Sequence, residues 1–483
     1  MISRIKNFFK RAAAQRGYDG AKSSRLNADW FAGSRTSAVQ ELTPDVLDRL
    51  RARGRDLERN SDTVRAWLAL LSSNVIGEGG LRAQVRVREA DGSLSDARGN
   101  AVEAAWQEWG RGMADAAGVL SWRAVQDMVL RRCAVDGGAL LRLVRGADNA
   151  HRFAVQVLDA DLLDARFNRV AGAGAPAVTQ GIAHDEWGRA LGYYLQGAKG
   201  REFLSARELL YIKRPERPGQ LHCAPWLASC LSTLKMLDGY REAELVAARV
   251  GASSMGIVTR AASGDGFPSA PGADGAGQAE IAPGSILHLP EGASWQTYDP
   301  SGHPAGAFPD FTKAMLRSVA GALGVSYNAL AQDLEGVSYS SLRSGALAER
   351  DQYRVCQGWL AHALAVPVFN AWLEMAALAN AVALADGVEH EHRGRSWPWV
   401  DPLKDTNAQI LASDAGLKSR RQVIAEAGGD AAQTLAEIAA DNEAASAAGV
   451  FYSTGEMGSD DEGVNCTGGG RGITAARVRR GDD

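Results

Sequence analysis

Leu323-Gly324-Val325-Ser326-Tyr327-Asn328-Ala329-Leu330-Ala331-Gln332-Asp333, followed by Ser338-Tyr339-Ser340-Ser341-Leu342-Arg343, is the stretch on which the fold turns. Ahead of it, Met315, Val319 and Leu323 recur at helical spacing from Phe311. Gly324 then supplies the left-handed residue on which such a helix commonly ends. Beyond it a second helical pattern runs from Leu342 to about Leu378, with Pro367 as the predicted kink. Val325 to Ser341 is thus a polar, non-helical connection between two long helices. Further back, Pro225 opens a third helical pattern that reaches about Val250, with Leu227, Leu231, Leu234 and Leu237 along one stripe. Such a helix is about 39 Å long. Residues 255–306 separate it from the helix at Phe311 and form a small β-rich insertion around the glycine-rich run Pro271-Gly272-Ala273-Asp274-Gly275.

The first half is mixed. Thr43-Pro44-Asp45 starts a helix bearing Arg49, Arg51, Arg53, Arg55 and Arg59, with Asp48, Asp56 and Glu58 interleaved. That face is either a solvated salt-bridged surface or a strip facing a neighbouring subunit or nucleic acid. The helical pattern continues from Asn60 to Leu71. Leu81 to Val87 alternates as a strand, and 90–93 turns the chain. Helices carry Trp106, Trp109 and Trp122; strands follow at Ala139–Val144, Phe153–Leu158 and Leu209–Ile212, with a hairpin around 184–189. Residues 403–445 are alanine-rich and helical, and 450–483 has the composition of a disordered tail. The predicted class is α+β, predominantly helical in the second half.

The chain has 483 residues and a net charge of -4, so the basic surplus usual in proteins that grip phosphates is missing. Cys133, Cys223, Cys230, Cys356 and Cys466 stand far apart, which predicts free thiols in a reducing compartment. No run of eighteen apolar residues appears, so no membrane span is predicted. The first eleven residues interleave Arg4, Lys6, Lys10 and Arg11 with Ile2, Ile5, Phe8 and Phe9. That is a basic amphipathic arm and not a secretory signal.

Catalytic patterns are weak. His390-Glu391-His392 reads as a polar loop without a third metal ligand at useful spacing, and His184-Asp185-Glu186 sits at a turn. Ser338, Ser340 and Ser341 lie outside any nucleophile elbow. The glycine runs at 77–80 and 468–472 lack the Lys-Ser/Thr of a phosphate loop. Trp106, Trp109, Trp122, Trp226, Trp359 and Trp372 fall on apolar helical faces, as core or interface residues do. No enzyme activity, cofactor or metal is predicted.

The order and spacing of several runs resemble the lambda-type portal family of tailed bacteriophages along nearly the whole chain. These are Arg25–Trp30, Leu50–Asn60, Asn74–Gly77, Asp136-Gly137-Gly138, Gly181-Ile182 with Asp185–Arg189 and Tyr193-Tyr194, Arg217–Gln220 with Ala224–Leu227, Leu323–Arg343, Trp397–Lys404 and Gly416–Gly428. The resemblance implies a ring, usually of twelve subunits, at one capsid vertex. It would conduct double-stranded DNA during packaging and ejection. Implied partners are the terminase large subunit, head-completion and connector proteins, and the major capsid and scaffold proteins, with no membrane. The implied location is the virion, after assembly in the host cytoplasm.

In those terms 1–30 is a basic arm, 31–224 the wing, 225–254 a stem helix and 255–306 the clip insertion. Residues 307–324 form the second stem helix, 325–341 the tunnel loop, 342–402 a kinked helix returning to the wing, 403–449 a helical crown and 450–483 the tail. The channel-facing set is Gln332, Asp333, Glu335, Ser338, Tyr339, Ser340, Ser341 and Arg343, with Gly324, Gly336 and Pro367 as hinges. A net-negative loop suits a wall past which DNA slides, because each cation–phosphate contact adds affinity. The loop is expected to be mobile. A capsid-associated or scaffold-like protein that conducts no DNA is the competing reading, and a DNA-processing hydrolase a more distant one.

Overall fold

A computed structural model describes residues 37–450 except 90, 173, 198–199, 253–255, 261–292, 298–306, 384–386, 398–401 and 430. The basic arm, the tail beyond Val450 and the glycine-rich middle of the insertion lie outside the described residues.

Helix α1 (Ala38–Glu41) is one turn, boxed by Ser37 and Gln40. Helix α2 (Pro44–Asn60) starts with proline at a position whose amide has no helical acceptor. Its inward stripe is Leu47, Arg51, Gly54 and Leu57. Ser61 is extended, so the helical pattern does not run unbroken through Asn60: α3 (Asp62–Leu71) is a separate helix passing into a π turn at Ser72–Ile76. Strands β1 (Arg82–Arg88) and β2 (Leu94–Ser95) form a hairpin ahead of α4 (Asp96–Gly112) and α5 (Trp122–Asp136). The strands β3 (Ala139–Arg145), β4 (Phe153–Leu158), β5 (Ala177–Thr179), β6 (Ile182–His184), β7 (Ala190–Gly197), β8 (Gly200–Ser205) and β9 (Leu209–Ile212) follow. They make one antiparallel sheet of order β4-β3-β9 and another of order β5-β6-β7-β8.

The long helix after Pro225 begins later than its sequence pattern suggests. The Trp226 amide donates to the Ala134 carbonyl at 3.0 Å, which anchors 225–230 as tight turns against α5. Helix α6 therefore covers Leu231–Ala252. Strands β10 (Gly256–Arg260) and β11 (Ala293–Thr297) pair antiparallel at the base of the insertion. Helix α7 (Ala307–Leu323) starts one turn earlier than the sequence pattern.

Residues 325–341 are not wholly irregular either. They contain the short α8 (Tyr327–Ala331), and Ser338 caps α9 (Tyr339–Leu360), so Tyr339, Ser340 and Ser341 are helical. A π turn over Ala361–Ala365 joins α9 to α10 (Val366–Leu378), with Pro367 at the start of α10. The interruption thus falls just before the proline, where the missing amide would leave a carbonyl unpaired. By length and composition the joined helix, Tyr339–Leu378, is apolar enough to cross a membrane, although Gln357, His362 and Asn370 interrupt its apolar stretch. Its second half instead enters the core, where Leu360, Leu364, Val368, Phe369 and Trp372 are buried.

His390-Glu391-His392 is not a loop but the middle of β12 (Val388–Arg393), which pairs with β1 to give the order β12-β1-β2. The alanine-rich end forms α11 (Pro402–Asp414), α12 (Arg420–Glu426) and α13 (Ala431–Ala447).

The core gathers around aromatic rings. Trp106 stacks on Trp109 at 4.6 Å and meets Phe369 and Trp372 edge-on at 5.0 Å. The Trp109 indole donates to the Phe153 carbonyl at 2.8 Å, so its polar edge is paired while its body is buried. Each such ring contributes roughly 1.5–3 kcal/mol by leaving water. With Trp122 of α5 edge-on to Trp106 at 5.5 Å, these rings join α4, α5, β4 and α10, so the end of the long helix is bolted to the first half of the chain. A smaller core under β7 and β9 holds Leu140, Ile182, Tyr193, Leu204 and Leu209.

Candidate functional site

The connection after α7 is built from its caps. Gly324 is left-handed at φ 69°, and the Val325 amide reaches back to the Ala320 carbonyl at 3.1 Å. The Ser326 hydroxyl caps α8 by accepting from the Ala329 amide. Gln332, not a glycine, takes the left-handed position that ends α8, at φ 54°. Gly336 is also left-handed, and the Ser338 hydroxyl accepts from the Ser341 amide to start α9.

Asp333 is the knot of the segment. It accepts from the Tyr327 hydroxyl at 2.8 Å and from the Glu335 amide at 3.0 Å, and it pairs with Lys313 of α7 at 3.2 Å. The Tyr327 hydroxyl, the Glu335 amide and the Lys313 ammonium together hold its carboxyl below the ordinary carboxylate range. Lys313 and Arg317 also face the Tyr327 ring, at 5.7 and 5.4 Å. Arg343 pairs with Asp405 of α11 at 2.6 Å, which raises its pKa. The structure therefore places Gln332, Asp333 and Glu335 together, and Ser338, Ser340 and Ser341 in a hydroxyl cluster within 3.1 Å. It turns Asp333 toward α7 and Arg343 toward α11. Glu335 is exposed and makes no ion pair among the described residues.

The two cations of α2 that alternate with its apolar residues face inward. Arg51 is buried and donates to the Asp136 and Ala160 carbonyls. Arg55 bonds Asp136 at 2.7 Å, Asp159 at 2.8 Å and Asp161 at 2.6 Å. Arg132 bonds Asp136 and Glu58. The salt-bridged alternative describes these residues, with the difference that the network is half-buried and joins α2 to α5.

The remaining candidates stay local. His390 Nδ1 lies 3.2 Å from His392 Nε2, and His390 Nε2 lies 2.8 Å from Asn370. His184 bonds Thr179 and the Asp185 carbonyl. No group of three potential metal ligands occurs among the described residues. Cys133, Cys223, Cys230 and Cys356 are buried free thiols whose pKa values burial raises.

Residues 23–357 match the family described as phage portal protein, lambda family. The chain belongs to that family. Portal proteins of known phages are similar over much of their length. The probable portal protein of Halomonas phage phiHAP-1 is 31% identical over 453 residues, covering 89% of this chain and 87% of that protein. Portal protein B of Escherichia phage lambda is 24% identical over 302 residues, 53% of this chain and 56% of its own. In a solved structure titled as the virion of a native gene transfer agent particle, one chain superposes with a TM-score of 0.50 at 13% identity, covering 84% of this portal chain and 98% of its own. That last likeness concerns the fold. The lambda-family match spans the connection just described and ends inside α9, so the loop belongs to the portal-like part of the chain.

The Lys313–Asp333 tether was not visible in the sequence. A usable signal was present in Lys313 and Arg317, four residues apart on one helical face and close enough to share a partner.

Proposed function

We propose that this portal-family chain closes into a ring of twelve subunits around an axial channel for double-stranded DNA. In this reading α6 and α7 are the stem, and the insertion on β10 and β11 is the clip that receives the terminase large subunit and later head-completion and connector proteins. Residues 325–341 are the tunnel loop, hinged at Gly324 and Gly336, with the Pro367 region adjusting the helix behind it. Residues 31–224 form the wing and 403–449 the crown. Major capsid and scaffold proteins meet the outside, first in the host cytoplasm and then in the virion.

The observation that carries this reading is apolar surface on helices that bury little of it within the chain. In α11 and its loop Leu403, Ile410, Leu411 and Leu417 are exposed, as are Leu435 and Ile438 of α13. No residue of α11 or α12 is buried. Exposed apolar side chains on helices that bury none of their residues suit contact with a neighbouring copy, and head-to-tail contacts whose rotation closes generate rings. Inside the ring Glu335 offers an uncompensated negative charge to a sliding duplex, while Asp333 holds the loop on the stem.

Negative-stain imaging of the purified full-length protein tests the reading. Rings with an axial hole are expected. Compact monomers would overturn it, and solid discs would favour a scaffold-like protein that conducts nothing.

A further inference from the structure

A cleft of about 660 Å³ opens between α9, the segment after β12, and the helices α11 and α12. That volume lies in the range of small-molecule sites, about 300–1,000 Å³. Five arginines line it, against the two carboxylates Asp405 and Glu426. The carboxylates are already engaged, Asp405 by Arg343 and Glu426 by Lys418. Arg393 is paired with Glu391.

Three guanidiniums remain around one indole. The centres of Arg350, Arg354 and Arg395 lie 5.9, 5.6 and 6.0 Å from the Trp397 ring. Arg354 has only an exposed pair with Asp351, of the kind that contributes little. Arg395 donates to the Ser73 and Ser396 carbonyls, which carry no full charge. Arg350 has no ion pair or hydrogen bond among the described residues. Burial and the neighbouring Arg354 and Arg395 push its pKa down.

Trp397 is fixed as a floor by its indole bond to Asn74 at 2.8 Å and by stacking on Tyr353. An indole face attracts cations, yet it cannot neutralise three. Guanidinium forks match phosphate oxygens in pairs, and three forks at one place suit a ligand of more than one negative charge.

We propose that this cleft is an oxyanion site for phosphate groups, taking either a free polyphosphate or adjacent phosphates of a nucleic-acid backbone on Arg350, Arg354 and Arg395. The site stands whether or not the chain forms a channel.

Isothermal titration of the full-length protein with inorganic pyrophosphate, and separately with a 20-base-pair duplex, tests it. Binding should weaken at least tenfold in Arg350→Gln/Arg354→Gln. Arg350→Lys should lose only two- to fourfold, since it keeps the charge and lacks the fork. Arg88→Gln, outside the cleft, should bind as the parent does. Pyrophosphate binding alone assigns a free polyphosphate, and mutual competition assigns the backbone. If the double variant fails to fold, Arg350→Gln alone decides, because its side chain makes no hydrogen bond or ion pair among the described residues: a loss of fivefold or more, beyond that of Arg350→Lys, supports the site and a smaller one refutes it. Absence of binding, equal loss in Arg88→Gln, or binding by dissociated subunits that vanishes on assembly would each overturn the proposal. The last would assign the cleft to a carboxylate of a second copy.

Discussion

Asp136 shows how much can rest on one side chain. Its carboxylate is nearly inaccessible and accepts from Arg55 and Arg132, while its backbone carbonyl accepts from Arg51. Asp136→Asn keeps the shape and removes the charge, leaving two half-buried guanidiniums short of a partner. Breaking a buried pair from one side costs about 3 kcal/mol, so the urea midpoint should fall accordingly. Asp159→Asn, on the exposed rim of the same network, should cost under about 1 kcal/mol. His392 gives a different signature. Burial and the adjacent His390 lower its pKa to about 4. The unfolded chain, near 6.5, then binds the proton more readily. Stability is complete above pH 6.5 and falls by about 2–3 kcal/mol as the pH drops toward 4. His392→Phe should flatten that slope in urea titrations at stepped pH.

At the scale of elements, Gly137 is where helix α5 hands the chain to β3. Its φ is 83°, and a Cβ there would lie 2.0 Å from the Cys223 carbonyl oxygen. Gly137→Ala should therefore destabilise by about 2–4 kcal/mol, read as a lowered thermal midpoint, through both strain and backbone collision. The strands on either side were legible because Ala139–Val144, Phe153–Leu158 and Leu209–Ile212 are apolar runs bounded by turn residues. The strand Val388–Arg393 was not. Its charges alternate, and its pairing with β1 rather than its own hydrophobicity makes it a strand. The connection after α7 was half legible. Gly324 announced the stop and Ser338 the next cap, but α8 is too short for a periodicity, and the Lys313–Asp333 pair joins residues twenty positions apart. Pro367 marked the right neighbourhood, while the π turn before it leaves no trace in composition.

For the whole molecule, the exposed apolar residues of α11 predict assembly. Ile410→Glu/Leu411→Glu should leave the monomer folded, since both side chains already face outward, and should cut the oligomeric fraction in light scattering severalfold. Unchanged assembly would move the contact elsewhere. The rings of Trp106, Trp109, Phe369 and Trp372 tie together two halves so unlike in sequence: residues from α4 and α10 share one aromatic cluster.

The pairing of β1 with β12 also constrains synthesis. Arg88 meets Glu389 across that sheet, 301 positions away. At about 5–20 residues per second, the ribosome delivers the second strand roughly 15–60 s after the first. Throughout that interval one edge of β1 has no neighbour, an open template for stray strands. Arg82, Arg86 and Arg88, exposed on one face of the strand, are charges of the kind that discourage such pairing while the nascent chain waits for its own C-terminal third.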